Sequence, residues 1–288
     1  MRYLIYSLFL LLSVGFASCS KENSNGNGQT TVAAKTMLNV AYGGNAAQVM
    51  DLYLPANRSA ATTQVIILIH GGAWSSGDKA DFNAFVDTLK RRMPTYAVIN
   101  MNYRLASGAN NLFPTQENDV KAAVDFIYAK RTEYNISDKF VMMGASAGGH
   151  LALLHSYKYA SPVKIRAVVD FFGPSDMVKM YQQPAPLVPP AFISSVMGGS
   201  PTQLPVLYEQ SSPVNFINAQ SPPSIILQGG LDLLVSPSQS EAVKNKLTQA
   251  GVANQYVFYA SGGHGDWDAA TFADAFNKIQ VFLSRHVL

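Results

Sequence analysis

The chain has 288 residues, 48% hydrophobic and 14% charged, a composition that packs a core and excludes a wholly disordered protein. Lysine and arginine number 21 against 18 aspartates and glutamates, a net charge of +3, and after Ala17 the longest basic run is Lys90-Arg91-Arg92, so the electrostatic footprint of a nucleic-acid partner is missing. The one cysteine, Cys19, excludes an intramolecular disulfide, a cysteine-based zinc site and a cysteine nucleophile in the folded part.

Arg2 precedes an apolar stretch from Leu4 to Ala17 broken only by serines. That is the length of a signal-peptide core and short for a membrane span. Residues 1–18 therefore read as an export signal. Its end, Phe16-Ala17-Ser18-Cys19, resembles a bacterial lipobox, which implies cleavage before Cys19 and lipidation of its sulfur. Residues 20–30 are polar and rich in Asn, Gly and Ser, the composition of a flexible tether. The expectation is an exported lipoprotein that meets the membrane only through its lipid anchor, on the periplasmic or cell-surface side, with one folded domain over 31–288.

Within that domain Met37 to Tyr42 and Gln48 to Leu54 alternate apolar and polar residues around Gly43-Gly44-Asn45, as an antiparallel edge hairpin does. The runs Val65 to Ile69, Tyr96 to Asn100, Phe140 to Met143, Ala167 to Phe171, Ile225 to Leu227 and Tyr256 to Phe258 are continuously apolar. Strands covered on both faces in a parallel sheet read this way. Helical spacing recurs at Val120, Ala123, Val124 and Ile127, at Ala242, Val243 and Leu247, and from Phe272 to Leu283. The reading is an α/β fold with a mostly parallel eight-stranded sheet flanked by helices. Gln183 to Pro190 is proline-dense and predicts a small stiff cap rather than a long helical lid.

Ligand sites in such sheets lie beyond the C-terminal strand ends, and four junctions there are unusual. After Phe140 to Met143 comes Gly144-Ala145-Ser146-Ala147-Gly148, a G-x-S-x-G between strand and helix, where a tight turn presents a serine hydroxyl. A serine needs a base, and the base needs a group that fixes its tautomer. Asp232 follows the strand at Ile225 to Leu227, and His264 follows the strand near Tyr256 in Gly262-Gly263-His264-Gly265. The order Ser146, Asp232, His264 is that of α/β-hydrolase triads. His150, His155 and His286 are weaker bases by position, and Asp266 and Asp268 are rival acids. The fourth junction is His70-Gly71-Gly72-Ala73-Trp74, where the backbone amides of Gly72 and Ala73, with that of Ala147, suit an oxyanion hole. Trp74 and Tyr103 are candidate substrate-binding walls. No ligand cluster for a metal and no dinucleotide turn is present in the sequence, so no metal and no cofactor is expected.

Taken together, His70 to Trp74 with Ser76-Gly77-Asp78-Lys79, Asn102-Tyr103-Arg104-Leu105, Phe113-Pro114 leading to Asp119, the turn at Ser146, Phe172-Gly173-Pro174, Gly229 to Asp232 and Gly263-His264-Gly265 resemble the α/β-hydrolase esterases related to hormone-sensitive lipase. Within these the chain is most similar to the compact acetyl-xylan and feruloyl esterase-like group. The resemblance implies that Ser146 attacks an ester, His264 shuttles the proton and Asp232 orients the imidazole, with an acylated oligosaccharide as substrate and a monomer as the working unit. Two departures, Gln228 where histidine is common and Ser107-Gly108 where a proline-rich stretch is usual, are expected to reshape the pocket. A prolyl-type peptidase or arylformamidase using the same triad, and a glycan-binding lipoprotein without catalysis, are the other readings.

Overall fold

Unbroken apolar runs become strands because a parallel sheet wrapped by helices removes both of its faces from water. The computed structural model describes residues 32–287; the expected export signal and tether, with Cys19, lie outside the described residues. The strands are β1 (Lys35–Ala41), β2 (Val49–Leu54), β3 (Val65–Ile69), β4 (Ala97–Met101), β5 (Phe140–Ala145), β6 (Ile165–Phe171), β7 (Ser224–Gly229) and β8 (Asn254–Tyr259). They form one eight-stranded sheet in the order β1-β2-β4-β3-β5-β6-β7-β8. β2 pairs antiparallel with both β1 and β4, and every other pairing is parallel.

The alternation along β3 assigns the two layers. Val65, Ile67 and Ile69 pack with α2 (Thr115–Tyr134), α3 (Ala147–Lys158) and α7 (Pro237–Gln249), whereas Ile66 and Leu68 pack with α1 (Asn83–Arg92) and α8 (Ala269–His286). α3 is buried from Ala147 to Tyr157, which suits a helix that is apolar all round. α8 is amphipathic, and its first turn is capped by Asp268, whose Oδ1 accepts the Thr271 N–H at 2.7 Å.

The expected elements form, with bounds shifted by one to three residues. The hairpin turn closes through Tyr42 N–H to Gln48 O at 3.0 Å, and β1 carries a bulge in which Asn39 adopts a φ of 53° and donates its N–H to Asp51 Oδ1 at 2.8 Å. One expectation is corrected. Tyr256 to Phe258 is not buried on both faces: β8 is an edge strand and Phe258 is 48% exposed. Between β6 and β7 the proline-dense stretch runs into α5 (Pro190–Met197), flanked by α4 (Met177–Gln182) and α6 (Pro205–Gln210). The cap is therefore three short helices with an irregular stretch at its lip. No helix among the described residues is long and apolar enough to cross a membrane.

Candidate active site

β5 ends at Ala145 and α3 begins at Ala147, leaving Ser146 between them at φ 56° and ψ −124°. A non-glycine residue rarely adopts this backbone, and such strain persists only where the surroundings enforce it. They do so here through close approach. A Cβ on Gly144 would overlap the Gly148 carbonyl, and one on Gly148 would overlap the Ile69 carbonyl at the end of β3. The Ser146 N–H donates to Phe171 O at 2.9 Å, and its carbonyl accepts the His150 N–H at 3.0 Å. The hydroxyl is thus held at the rim of the sheet.

The structure brings the three expected side chains into one chain of hydrogen bonds. His264 Nε2 lies 2.8 Å from Ser146 Oγ, and His264 Nδ1 lies 2.7 Å from Asp232 Oδ2. The Asp232 side chain is 0% exposed, so its oxygens must be satisfied internally. Oδ1 accepts the N–H groups of Leu234 and Val235, each at 2.8 Å, and Oδ2 accepts from Gln228 Nε2 at 3.2 Å as well as from His264. Because an ionised carboxylate only accepts, His264 carries its proton on Nδ1 and leaves Nε2 free to accept from the serine hydroxyl. Phe172 lies under the imidazole with ring centroids 4.5 Å apart, and Trp267 Nε1 donates to Gly263 O at 3.0 Å. These contacts position the loop that carries the base.

Gln228 corrects an expectation. It does not shape the pocket; its buried amide donates to Asp232 while its Oε1 accepts from Ser240 Oγ at 2.8 Å. A positioning role at that residue has no signal in the sequence beyond its place four residues before Asp232.

The loop after β3 holds three successive residues at positive φ, Gly72 at 105°, Ala73 at 52° and Trp74 at 60°. Gly72 O accepts from the N–H groups of Ser75 at 3.1 Å and Ser76 at 2.9 Å, and a Cβ on Gly72 would overlap the Ser76 carbonyl. Ala73 and Ala147 line a cavity beside Ser146, with Trp74, Pro174, Met180, Val188, Phe192, Leu234 and Val235. Gly72 makes the turn that precedes Ala73, and its N–H, with those of Ala73 and Ala147, is an expected oxyanion donor. The Ala147 N–H belongs to the first turn of α3, where no intrahelical acceptor exists. The cavity holds about 70 Å³ and is apolar apart from the serine. Leu187, Leu231 and Leu233 are exposed, and the Leu187 N–H donates to Leu233 O at 3.1 Å, joining the cap to the loop that carries Asp232.

Trp74 is a wall of this cavity, while Tyr103 is not. Tyr103 is buried at 1% exposure, stacks on His70 with centroids 4.3 Å apart and donates its hydroxyl to His70 O at 3.0 Å. Its role is to hold the loop after β3 in place. Trp74 Nε1 donates to His150 Nδ1 at 3.1 Å, so His150 must carry its proton on Nε2, which donates to Ser211 O at 2.7 Å. Burial keeps His150 neutral, lowering its pKa to about 4. His155 is buried and lowered to about 4 for the same reason. Neither histidine bonds to the serine, His286 ends α8, and Asp268 is a helix cap. The rival bases and acids are thereby placed elsewhere. Further motif residues are scaffolding: Arg104 pairs with Asp119 at 2.6 Å and Lys79 with Asp51 at 2.8 Å.

A strand-end serine turn, an acid after β7 and a base after β8, arranged around a mostly parallel sheet, define an α/β-hydrolase. The chain belongs to the BD-FAE family, an α/β-hydrolase esterase family whose model matches residues 50–247. It is 29% identical over 211 residues to the probable carboxylic ester hydrolase LipM of Mycobacterium tuberculosis, covering 69% of this chain and 48% of that protein. The chain spans about half the length of the curated relatives it matches, 48% and 51% for the first two. Among solved structures it is similar to a truncated form of a carbohydrate esterase from gut microbiota, with a TM-score of 0.75 and 26% identity over 88% of this chain and 96% of that one. A bifunctional GH43-CE protein of Bacteroides eggerthii gives a TM-score of 0.73 and 26% identity over 87% of this chain and 38% of the other.

Proposed function

We propose that the protein is a serine carboxylesterase that removes acyl groups, acetyl or feruloyl-type, from carbohydrate. The observation that carries this reading is the continuous chain from Asp232 through His264 to Ser146. As Ser146 Oγ bonds to the ester carbon, His264 Nε2 takes the hydroxyl proton and the carbonyl electron pair moves onto oxygen. The backbone N–H groups of Gly72, Ala73 and Ala147 are assigned to that oxyanion, and Asp232 stabilises the imidazolium. Collapse of the intermediate expels the alcohol, which takes the proton from His264. Water then repeats the sequence on the acyl-enzyme and releases the acid. The names of the relatives, a carboxylic ester hydrolase and carbohydrate esterases, support this direction.

Hydrolysis of p-nitrophenyl acetate by the folded domain tests the reading. Ser146→Ala and His264→Ala are expected to lower turnover by roughly 10⁴-fold or more; equal background rates in all three proteins overturn it. The size of the cavity adds a second expectation. About 70 Å³ beside the serine accommodates a short acyl chain, and Phe192 forms part of its wall. Phe192→Ala should move the preference among p-nitrophenyl esters from acetate toward butyrate by about tenfold in kcat/KM, since each added methylene buried is worth ~0.8 kcal/mol and two are added. An unchanged chain-length profile refutes the assignment of the cavity to the acyl group.

We also carry forward export on a lipid anchor at Cys19, supported by the Phe16 to Cys19 sequence. In radiolabelled-palmitate labelling of cells, Cys19→Ser should lose the label, and a variant that retains it removes the anchor.

A further inference from the structure

α1 and α8 lie side by side on the sheet face opposite α3, and they leave a groove of about 330 Å³ between them. Its residues recur at helical spacing, Phe85, Thr88 and Arg92 from α1 and Phe272, Ala273 and Phe276 from α8, so each helix presents one continuous face to it. None of its lining residues is shared with the cavity at Ser146.

The floor is aromatic. Phe85 meets Phe272 with centroids 6.1 Å apart at 80° and meets Phe276 at 5.2 Å and 69°, edge-to-face arrangements in which Phe85 and Phe272 are half-buried and Phe276 is buried. Alanines at positions 84, 269 and 273 provide the room. The rim is cationic, with Arg91 and Arg92 at one end. Arg91 donates to Thr88 Oγ1 at 3.2 Å and Arg92 to Asn277 Oδ1, both neutral acceptors. Among the described residues neither guanidinium has a carboxylate within ion-pair distance. Of the acids on the two helices, Asp274 binds Lys278 and Tyr259, and Asp87 forms no ion pair with either arginine. An apolar aromatic floor closed at one end by two guanidiniums is complementary to a flat ring bearing a carboxylate.

We propose that the groove between α1 and α8 is a second binding site, for a small aromatic monocarboxylate whose ring lies on Phe85, Phe272 and Phe276 and whose carboxylate meets Arg91 and Arg92. The site needs no hydrolytic step, so its test does not depend on the reaction proposed for Ser146.

Titration calorimetry of the whole protein with 3-phenylpropionate reads the site directly. The expected result is one site with a dissociation constant on the order of 0.1–1 mM. Affinity should weaken at least tenfold for the neutral 3-phenylpropanol and for Arg91→Gln/Arg92→Gln. Ala273→Leu, which fills the groove without touching a charge, should abolish binding. Both variants should keep the wild-type melting temperature within a few degrees and wild-type hydrolysis of p-nitrophenyl acetate, which separates loss of the site from loss of the fold. Binding that persists unchanged in both variants lies elsewhere on the molecule and overturns the proposal. Equal or tighter binding of octanoate overturns the assignment of an aromatic ring.

Discussion

Asp232→Asn is expected to leave the fold intact and to lower turnover by roughly 10⁴-fold, the size of loss that follows when a triad base is held in the wrong tautomer. The hydrogen bonds around the carboxylate dictate the outcome. Both oxygens accept: Oδ1 from the N–H groups of Leu234 and Val235, Oδ2 from His264 and Gln228. An asparagine has a single acceptor end, and two backbone donors at 2.8 Å claim it. Its NH₂ then faces His264 Nδ1, which must accept rather than donate, so the imidazole proton moves to Nε2 and points at Ser146 Oγ. The base is occupied before the reaction begins. Steady-state kinetics on p-nitrophenyl acetate should show the loss in kcat with little change in KM. Gln228→Leu should give a smaller loss, about tenfold, because it removes one of four donors and leaves the tautomer unaltered. A fall as large as that of Asp232→Asn would mean that Gln228 does more than position the acid.

The second large expectation concerns stability in acid. His150 and His155 are buried and neutral, with pKa values lowered from 6.5 to about 4. Between those values the unfolded chain binds protons that the folded chain refuses, so stability is present above pH 6.5 and is lost as pH falls toward 4. Each shift corresponds to roughly 3 kcal/mol at its limit. His155 Nδ1 is buried and makes no hydrogen bond, so His155→Leu removes a protonation penalty at small structural cost. Relative to wild type, the variant should gain about 2 kcal/mol on going from pH 7.5 to pH 5, read as a melting temperature some ~4–8 °C higher than the neutral-pH comparison gives. Parallel melting curves for the two proteins across that range would contradict the burial argument. Asp170 acts with the opposite sign. Burial raises its carboxyl from 3.8 to about 7, so its contribution is present below pH 4 and is lost as pH climbs through 7. Asp170→Asn should therefore stabilise the protein above pH 7 and steepen its loss in acid.

The fold was legible wherever burial writes itself into composition. Val65 to Ile69 is covered on both faces and apolar at every position, and Ala97 to Met101 is covered likewise with one polar residue, the buried Asn100. Tyr256 to Phe258 looked the same yet lies at the edge, because apolarity records packing on a face and says nothing about how many neighbours a strand has. Ser146, Asp232 and His264 were legible because each follows a strand and two sit among glycines. The cavity wall was not. Met180, Val188 and Phe192 come from short helices and an irregular stretch whose sequence has no period tied to the serine, and they meet it only through the chain's return over the sheet. Tyr103 lies away from the cavity for a related reason: an aromatic after a strand can turn toward the cavity or against the loop, and its hydroxyl donates to two backbone carbonyls of the loop.

The cap between β6 and β7 supplies Met180, Val188 and Phe192 to the cavity, while the reacting side chains come from the ends of β5, β7 and β8. In the proposed reaction the cap thus supplies part of the acyl wall and none of the reacting side chains. The two can diverge independently. A stretch of related sequence transplanted between Pro174 and Pro213 would bring its donor's chain-length preference with it and leave the relay untouched, making this fold a socket for interchangeable selectivity.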